Sequence, residues 1–151
     1  MRVYVAPCGI GLGHITRCEP LADALVSRGA EVIYSTYSDG LDYARRRGLP
    51  TLPTVSIGFK VREDGTVDFK TTAATSGFSL GVRRFLEQLT AEIRNIKRFK
   101  PDVVLSDSRV SSLLAGKLMG VPVALILNQF RVEIVKKPSA KKITPVERFF
   151  F

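Results

Sequence analysis

Cys8-Gly9-Ile10-Gly11-Leu12-Gly13-His14 is the segment whose residue types and spacing best suit chemistry, and it ends in the chain's one histidine. An apolar run, Val3 to Ala6, precedes it, and a helical pattern follows from about His14. Strand, glycine turn and helix together bring backbone N–H groups and a helix N-terminus to one point, which suits anions and polar ligands. An imidazole there can move a proton near neutral pH, since its ordinary pKa is about 6.5. The plain alternative for His14 is a helix cap or a packing residue.

A second group of polar residues falls where strands are expected to end. Ser106-Asp107-Ser108 follows the apolar run Val103 to Leu105, and Asn128-Gln129 follows Val121 to Leu127. In a parallel sheet, sites form at the carboxyl ends of strands. The glycine turn, Asp107 with Ser108, and Asn128 with Gln129 are therefore expected to converge on one crevice. Asp107 and Ser108 also read as N-cap candidates for the helix that follows. Cys8 and Cys18 read as packing residues, and one His with two Cys lacks metal-ligand spacing, so no metal is expected.

The elements that position these residues alternate. Strands are expected at Arg2–Pro7, Glu31–Thr36, Leu52–Ser56, Val103–Leu105 and Val121–Leu127. Helices are expected at His14–Ser27, Asp39–Arg47, Leu80–Phe99 and Val110–Met119, with another opening at Thr144-Pro145. On the first helix Ile15, Leu21, Ala22, Leu25 and Val26 recur at helical spacing. Alternation on both sides of Asp64-Gly65 predicts a β-hairpin from Phe59 to Phe69. Residues 71–81, rich in Thr, Ala, Ser and Gly, read as a mobile loop near a site. The fold class is thus α/β: a Rossmann-like three-layer sandwich with a mainly parallel sheet and a hairpin insertion.

Composition sets the outer limits. At 151 residues, 45% apolar and 25% charged, the chain is one domain of ordinary globular make-up, able to bury roughly two thirds of its unfolded surface. No stretch reaches the roughly 20 apolar residues of a membrane span, and no secretory signal stands at the start. Two separated cysteines suit a reducing, cytoplasmic compartment. The formal charge of +9 admits nucleic acid, an anionic membrane or anionic substrates as partners. Arg45 to Arg47 read as a solvated helix face. The denser clusters at 83–100 and 136–142 suit phosphate or lipid head groups. Nucleic acid is not favoured, because no aromatic stripe interleaves with the Lys and Arg residues. Phe149 to Phe151 form an apolar end, from which we expect a longer protein.

Two nucleotide motifs are excluded. The spacing is G-x-G-x-G rather than G-x-G-x-x-G, and no acidic residue ends the second strand, which closes on Ser35-Thr36; no Gly-Lys-Ser/Thr follows the turn. What remains resembles the N-terminal half of GT-B glycosyltransferases. The run from Gly9 to Val32 carries a glycine turn, a His, a helix with Leu-Ala-x-x-Leu, then Gly and a second strand. Pro101 to Ser108 and Ala115 to Val123 form a second block in the same order and spacing. The pattern looks closest to the branch of the bacterial peptidoglycan lipid-intermediate N-acetylglucosaminyltransferase (MurG) and its archaeal relatives.

The resemblance implies an acceptor-side domain over residues 1–151, with the sugar-nucleotide-binding domain outside this chain and the fragment inactive alone. It implies an inverting hexosyltransferase, with a nucleotide sugar (a UDP-sugar) as co-substrate, no other cofactor, and a hydroxyl acceptor that the basic clusters suit to being lipid-linked. Such an enzyme is expected in the cytoplasm, peripheral on the inner face of a membrane. Where the bacterial enzyme has a second glycine-rich loop, this chain has Ser106 to Arg109. An Asp there resembles the small-molecule UDP-glycosyltransferases, in which a His after strand one is the base and an Asp after a later strand orients it. Carried over, His14 is the base and Asp107 its orienter. Gly11 and Gly13 admit the ligand close to backbone, and Thr16, Arg17, Ser108, Asn128 and Gln129 are acceptor or cleft contacts. A sugar-nucleotide epimerase of the same architecture, or a ligand-binding α/β domain without catalysis, are the alternatives.

Overall fold

The computed structural model describes residues 1–57 and 69–127, with backbone alone over 69–79. The elements run β1 (Arg2–Pro7), α1 (Gly13–Val26), β2 (Glu31–Thr36), α2 (Ser38–Arg46), β3 (Thr51–Pro53), α3 (Phe69–Phe99), β4 (Val103–Asp107), α4 (Val110–Leu118) and β5 (Val123–Ile126). The five strands form one sheet in the order β3-β2-β1-β4-β5. Every pairing is parallel. This is the expected α/β, Rossmann-like arrangement.

The period of two along each strand sorts side chains into two cores. Val3, Val5, Val32 and Tyr34 face Ile15, Cys18 and Ala22 of α1 and Ala44 of α2. Tyr4, Ala6 and Val104 face Ile96 and Phe99 of α3 and Ala115 of α4. Three layers follow, each helix covering one apolar face of a sheet that must be buried on both. On α1 the buried stripe is Ile15, Cys18 and Ala22 with Leu25 beside it; Leu21 and Val26, expected on that stripe, are exposed.

Three further expectations are corrected. Residues 71–81 are helix, not loop, because α3 already starts at Phe69. The stretch holds no Pro, so nothing in it breaks the i to i−4 ladder, and its Thr, Ser and Gly residues carry only a moderate helix penalty. β3 ends at Pro53, short of Ser56: proline has no N–H to give the ladder, and the chain makes one last bond, Thr54 N–H to Thr36 O at 3.1 Å, before leaving. Asp107 and Ser108 do not cap α4. Arg109 occupies that position with extended backbone and no side-chain cap; Asp107 is the last residue of β4, and Ser108, at φ +53°, turns the chain. The hairpin from Phe59 to Phe69, save Phe69 itself, which opens α3, the basic loop 136–142, the helix from Thr144, the aromatic end, and Asn128 with Gln129 lie outside the described residues.

Candidate active site

The register of β1 against β4 builds the site. Pro7 pairs with Asp107, and Cys8 N–H donates to Asp107 O at 3.0 Å. The two strands thus end side by side, and the glycine turn leaves β1 directly beside the carboxylate. Period two on β4 sends Val103, Leu105 and Asp107 to the α1 side of the sheet. α1 then meets Asp107 with three residues of one face, His14, Arg17 and Cys18, at the i, i+3, i+4 spacing that places side chains together.

The turn is held in shape by close backbone packing. A Cβ on Gly9 would lie 2.1 Å from Tyr37 O, so only glycine fits where this turn crosses the β2–α2 junction. Gly40 N–H donates to Gly9 O at 3.1 Å. Gly11 adopts φ +66°, a left-handed conformation glycine takes without strain. Its N–H donates to Asp39 Oδ2 at 2.9 Å, so that donor is already used within the fold. Gly13 opens α1, with nothing within 4 Å of where a Cβ would stand.

Asp107 is the centre of the cluster. His14 Nδ1 lies 3.2 Å from its Oδ1. Arg17 Nε donates to Oδ2 at 2.6 Å, and Arg17 Nη2 donates to Oδ1. The Cys18 thiol donates to Oδ2 at 3.4 Å. The carboxylate side chain is 0% exposed, while His14 and Arg17 keep 24% and 28% of their side chains open. Burial pushes the Asp107 carboxyl up, but the hydrogen bonds from Arg17 outweigh it, with His14 beside them lowering it further, and the net position is below the ordinary carboxylate range. Asp107 is therefore an anion at neutral pH. Burial also pushes the Cys18 thiol up to about 12, with the Asp107 charge adding to it, so Cys18 stays protonated and serves as donor.

The other expected contacts divide. Arg17 reaches the cluster, but as the partner of Asp107. Ser108 is exposed, with its Oγ 3.4 Å from Arg17 Nη2. Thr16 is exposed and turns its hydroxyl back on Leu12 O at 2.9 Å, inside its own helix. Two participants escaped the sequence reading. Cys18 is one, and its signal was the four-residue spacing from His14. The other is a second polar cluster, on the opposite face of the sheet. There Arg109 Nη2 donates to Glu92 Oε1, Tyr4 Oη donates to Glu92 Oε2 at 2.8 Å, and Ser35 Oγ donates to Oε1 at 2.9 Å. Arg109 Nη1 also donates to the carbonyls of Pro7 and Ser35, and its guanidinium sits 5.5 Å from the Tyr37 ring centroid. Ser111 Oγ donates to Gln88 Oε1, and Gln88 Nε2 to Val55 O, each at 2.6 Å. This cluster ties together the carboxyl ends of β1 and β2 and the segment after β3.

Residues 1–149 match the family described as Glycosyl transferase family 1. Among curated relatives, an uncharacterized glycosyltransferase of Methanosarcina mazei is 30% identical over 145 residues, covering 88% of this chain and 34% of its own length. One of Methanosarcina acetivorans is 32% identical over 136 residues, with the same two coverages, 88% and 34%. The chain thus spans about a third of the length of these relatives. Among solved structures, MurG of Acinetobacter baumannii superimposes with a TM-score of 0.62 at 16% identity, over 88% of this chain and 36% of that one. The spinosyn rhamnosyltransferase SpnG, in complex with spinosyn aglycone, gives 0.56 at 28% identity, over 84% and 34%. Sequence family and fold agree: this chain belongs to glycosyl transferase family 1 and shares its α/β fold with part of the GT-B glycosyltransferases on which it superimposes.

Proposed function

We propose that this chain is the acceptor-side half of an inverting glycosyltransferase, which moves a sugar from a nucleotide-sugar donor to a hydroxyl. One observation carries the reading: a half-buried imidazole lies 3.2 Å from a fully buried carboxylate at the carboxyl ends of a parallel sheet. Relatives about two and a half times as long support a second, donor-binding half. SpnG was solved with thymidine diphosphate and with an aglycone, which supports a nucleotide-sugar donor and a separate acceptor here.

In this mechanism Nδ1–H donates to Asp107, which leaves a lone pair on Nε2. The acceptor oxygen attacks the anomeric carbon while Nε2 takes its proton. The new C–O bond forms on one face as the bond to the nucleoside diphosphate breaks on the other, so the configuration inverts. Asp107 fixes the ring and stabilises the imidazolium without taking the proton itself. No other cofactor is part of the proposal. The test is His14→Gln in the full-length protein. Transfer should fall by about 10²–10⁴-fold, the usual worth of a positioned base, with the thermal unfolding midpoint unchanged; near-normal turnover removes the base role.

The proposal extends to a peripheral position at an anionic membrane surface on the cytoplasmic side, with a lipid-linked acceptor. Arg83, Arg84, Arg94, Lys97, Arg98 and Lys100 are exposed along α3 and just past its end. Each cation near such a surface contributes about 1 kcal/mol. Co-sedimentation with vesicles should rise steeply with the fraction of anionic lipid; binding independent of lipid charge removes this part.

A further inference from the structure

His14 Nδ1 has two neighbours that want opposite things from it. Asp107 Oδ1, at 3.2 Å, can only accept a hydrogen bond. Arg17 Nη2, at 3.1 Å, can only donate one. A neutral imidazole nitrogen offers either an N–H or a lone pair in the ring plane, never both. One of the two contacts must therefore decide the tautomer.

The geometry favours Arg17. Its Nη2 carries two hydrogens: one is directed to Asp107 Oδ1, and for the other Nδ1, at 3.1 Å, is a nearer acceptor than Ser108 Oγ, at 3.4 Å. Its Nε secures Oδ2 at 2.6 Å, so the fork already answers the negative charge of Asp107. With Nδ1 accepting from Arg17, the ring proton sits on Nε2, and a ring in that form has no lone pair for an acceptor proton. The guanidinium is also the most easily recruited member of the cluster. It is partly exposed, stands at the start of the second turn of α1, and has the planar fork that binds phosphate with two parallel hydrogen bonds.

We propose that Arg17 is a positioning residue that holds His14 in the Nε2–H tautomer until a phosphate group in the crevice draws the guanidinium away. Once Arg17 turns to the phosphate, Nδ1 faces Asp107 alone. The ring proton leaves Nε2 to solvent and another is taken up at Nδ1, so the charge of the ring is unchanged and Nε2 gains its lone pair. The base then exists only when a phosphate-bearing ligand is in place. The ligand class is a phosphate or diphosphate, from either the donor or the acceptor. The inference rests on the base role proposed for His14 but is read by a measurement independent of turnover.

The experiment is nitrogen NMR of the protein labelled with ¹⁵N-histidine, at a pH of about 8.5 where an ordinary imidazole is neutral. The signal is assigned by its loss in His14→Gln. Ligand-free protein should show Nδ1 bare and Nε2 protonated, and a phosphate ligand should exchange the two. Exchange on adding a nucleoside diphosphate assigns the effect to the donor; exchange with inorganic pyrophosphate alone assigns it to an acceptor phosphate. Arg17→Lys, which cannot span both Asp107 oxygens and Nδ1, should show the exchanged form without ligand. Protonated Nδ1 in the ligand-free wild type overturns the proposal, as does a tautomer unmoved by either ligand. If His14→Gln turns over normally while the tautomer still exchanges, the base role fails and the control by Arg17 stands.

Discussion

Asp107 and Glu92 lie on opposite faces of the same sheet, each buried and each held by an arginine. Glu92 receives donors that do not titrate near neutral pH, from Arg109, Tyr4 and Ser35, and is sealed beneath the strand ends. Asp107 is gripped at both oxygens by the Arg17 fork, where Glu92 meets Arg109 through one nitrogen, and it shares that arginine with an imidazole whose side chain is 24% exposed. The ion pair alone therefore does not mark a reactive centre. A carboxylate becomes chemically useful when one of its partners can change protonation and one edge of the cluster meets solvent. In the proposed reading the Arg109–Glu92 pair is the clamp, and the Arg17–Asp107–His14 group the working part.

Breaking the clamp should have the largest effect on stability. Glu92→Ala leaves the Arg109 guanidinium buried without its counter-charge, a change that costs about 3–5 kcal/mol. Urea unfolding measures it, and a loss under about 1 kcal/mol overturns the assignment of the pair as a clamp.

Asp107→Asn should cost less and show a pH signature. The Asp107 carboxyl lies below its ordinary range in the folded chain. Its contribution is therefore complete above the unfolded carboxylate pKa of about 3.9 and is lost as pH falls through the lower folded value. Unfolding curves of Asp107→Asn and wild type should differ at neutral pH and converge in acid. A constant offset at every pH sinks the comparison, because Asp107 is then as inert as its counterpart.

The working part was more legible in the sequence than the clamp. His14 stood out by ending a glycine turn, and Asp107 by following an apolar run, since both signals are local. The bounds of β1 and β2 followed from their apolar runs and the glycines beside them, whereas the order of the strands in the sheet came only from the structure. What Arg109 does was not legible. Its partner lies 17 residues upstream on α3, and no local pattern tells a buried arginine from a solvated one. Arg17 showed the same limit. Its place near the start of α1 suggested a cleft contact, whereas its hold on Asp107 depends on a register between strands set 100 residues apart. The start of α3 was missed because small polar residues suit helix and loop alike, and the covering context decides.

The central position of β1 has a temporal cost. His14 and Asp107 are 93 residues apart in the chain, so at ribosomal speeds of 5–20 residues per second about 5–20 s pass between their syntheses. Through that interval β1 has β2 on one side and an open hydrogen-bonding edge on the other. The nascent chain must keep that edge from pairing elsewhere until β4 emerges, which makes this stage of translation the one at which a chaperone has most to protect.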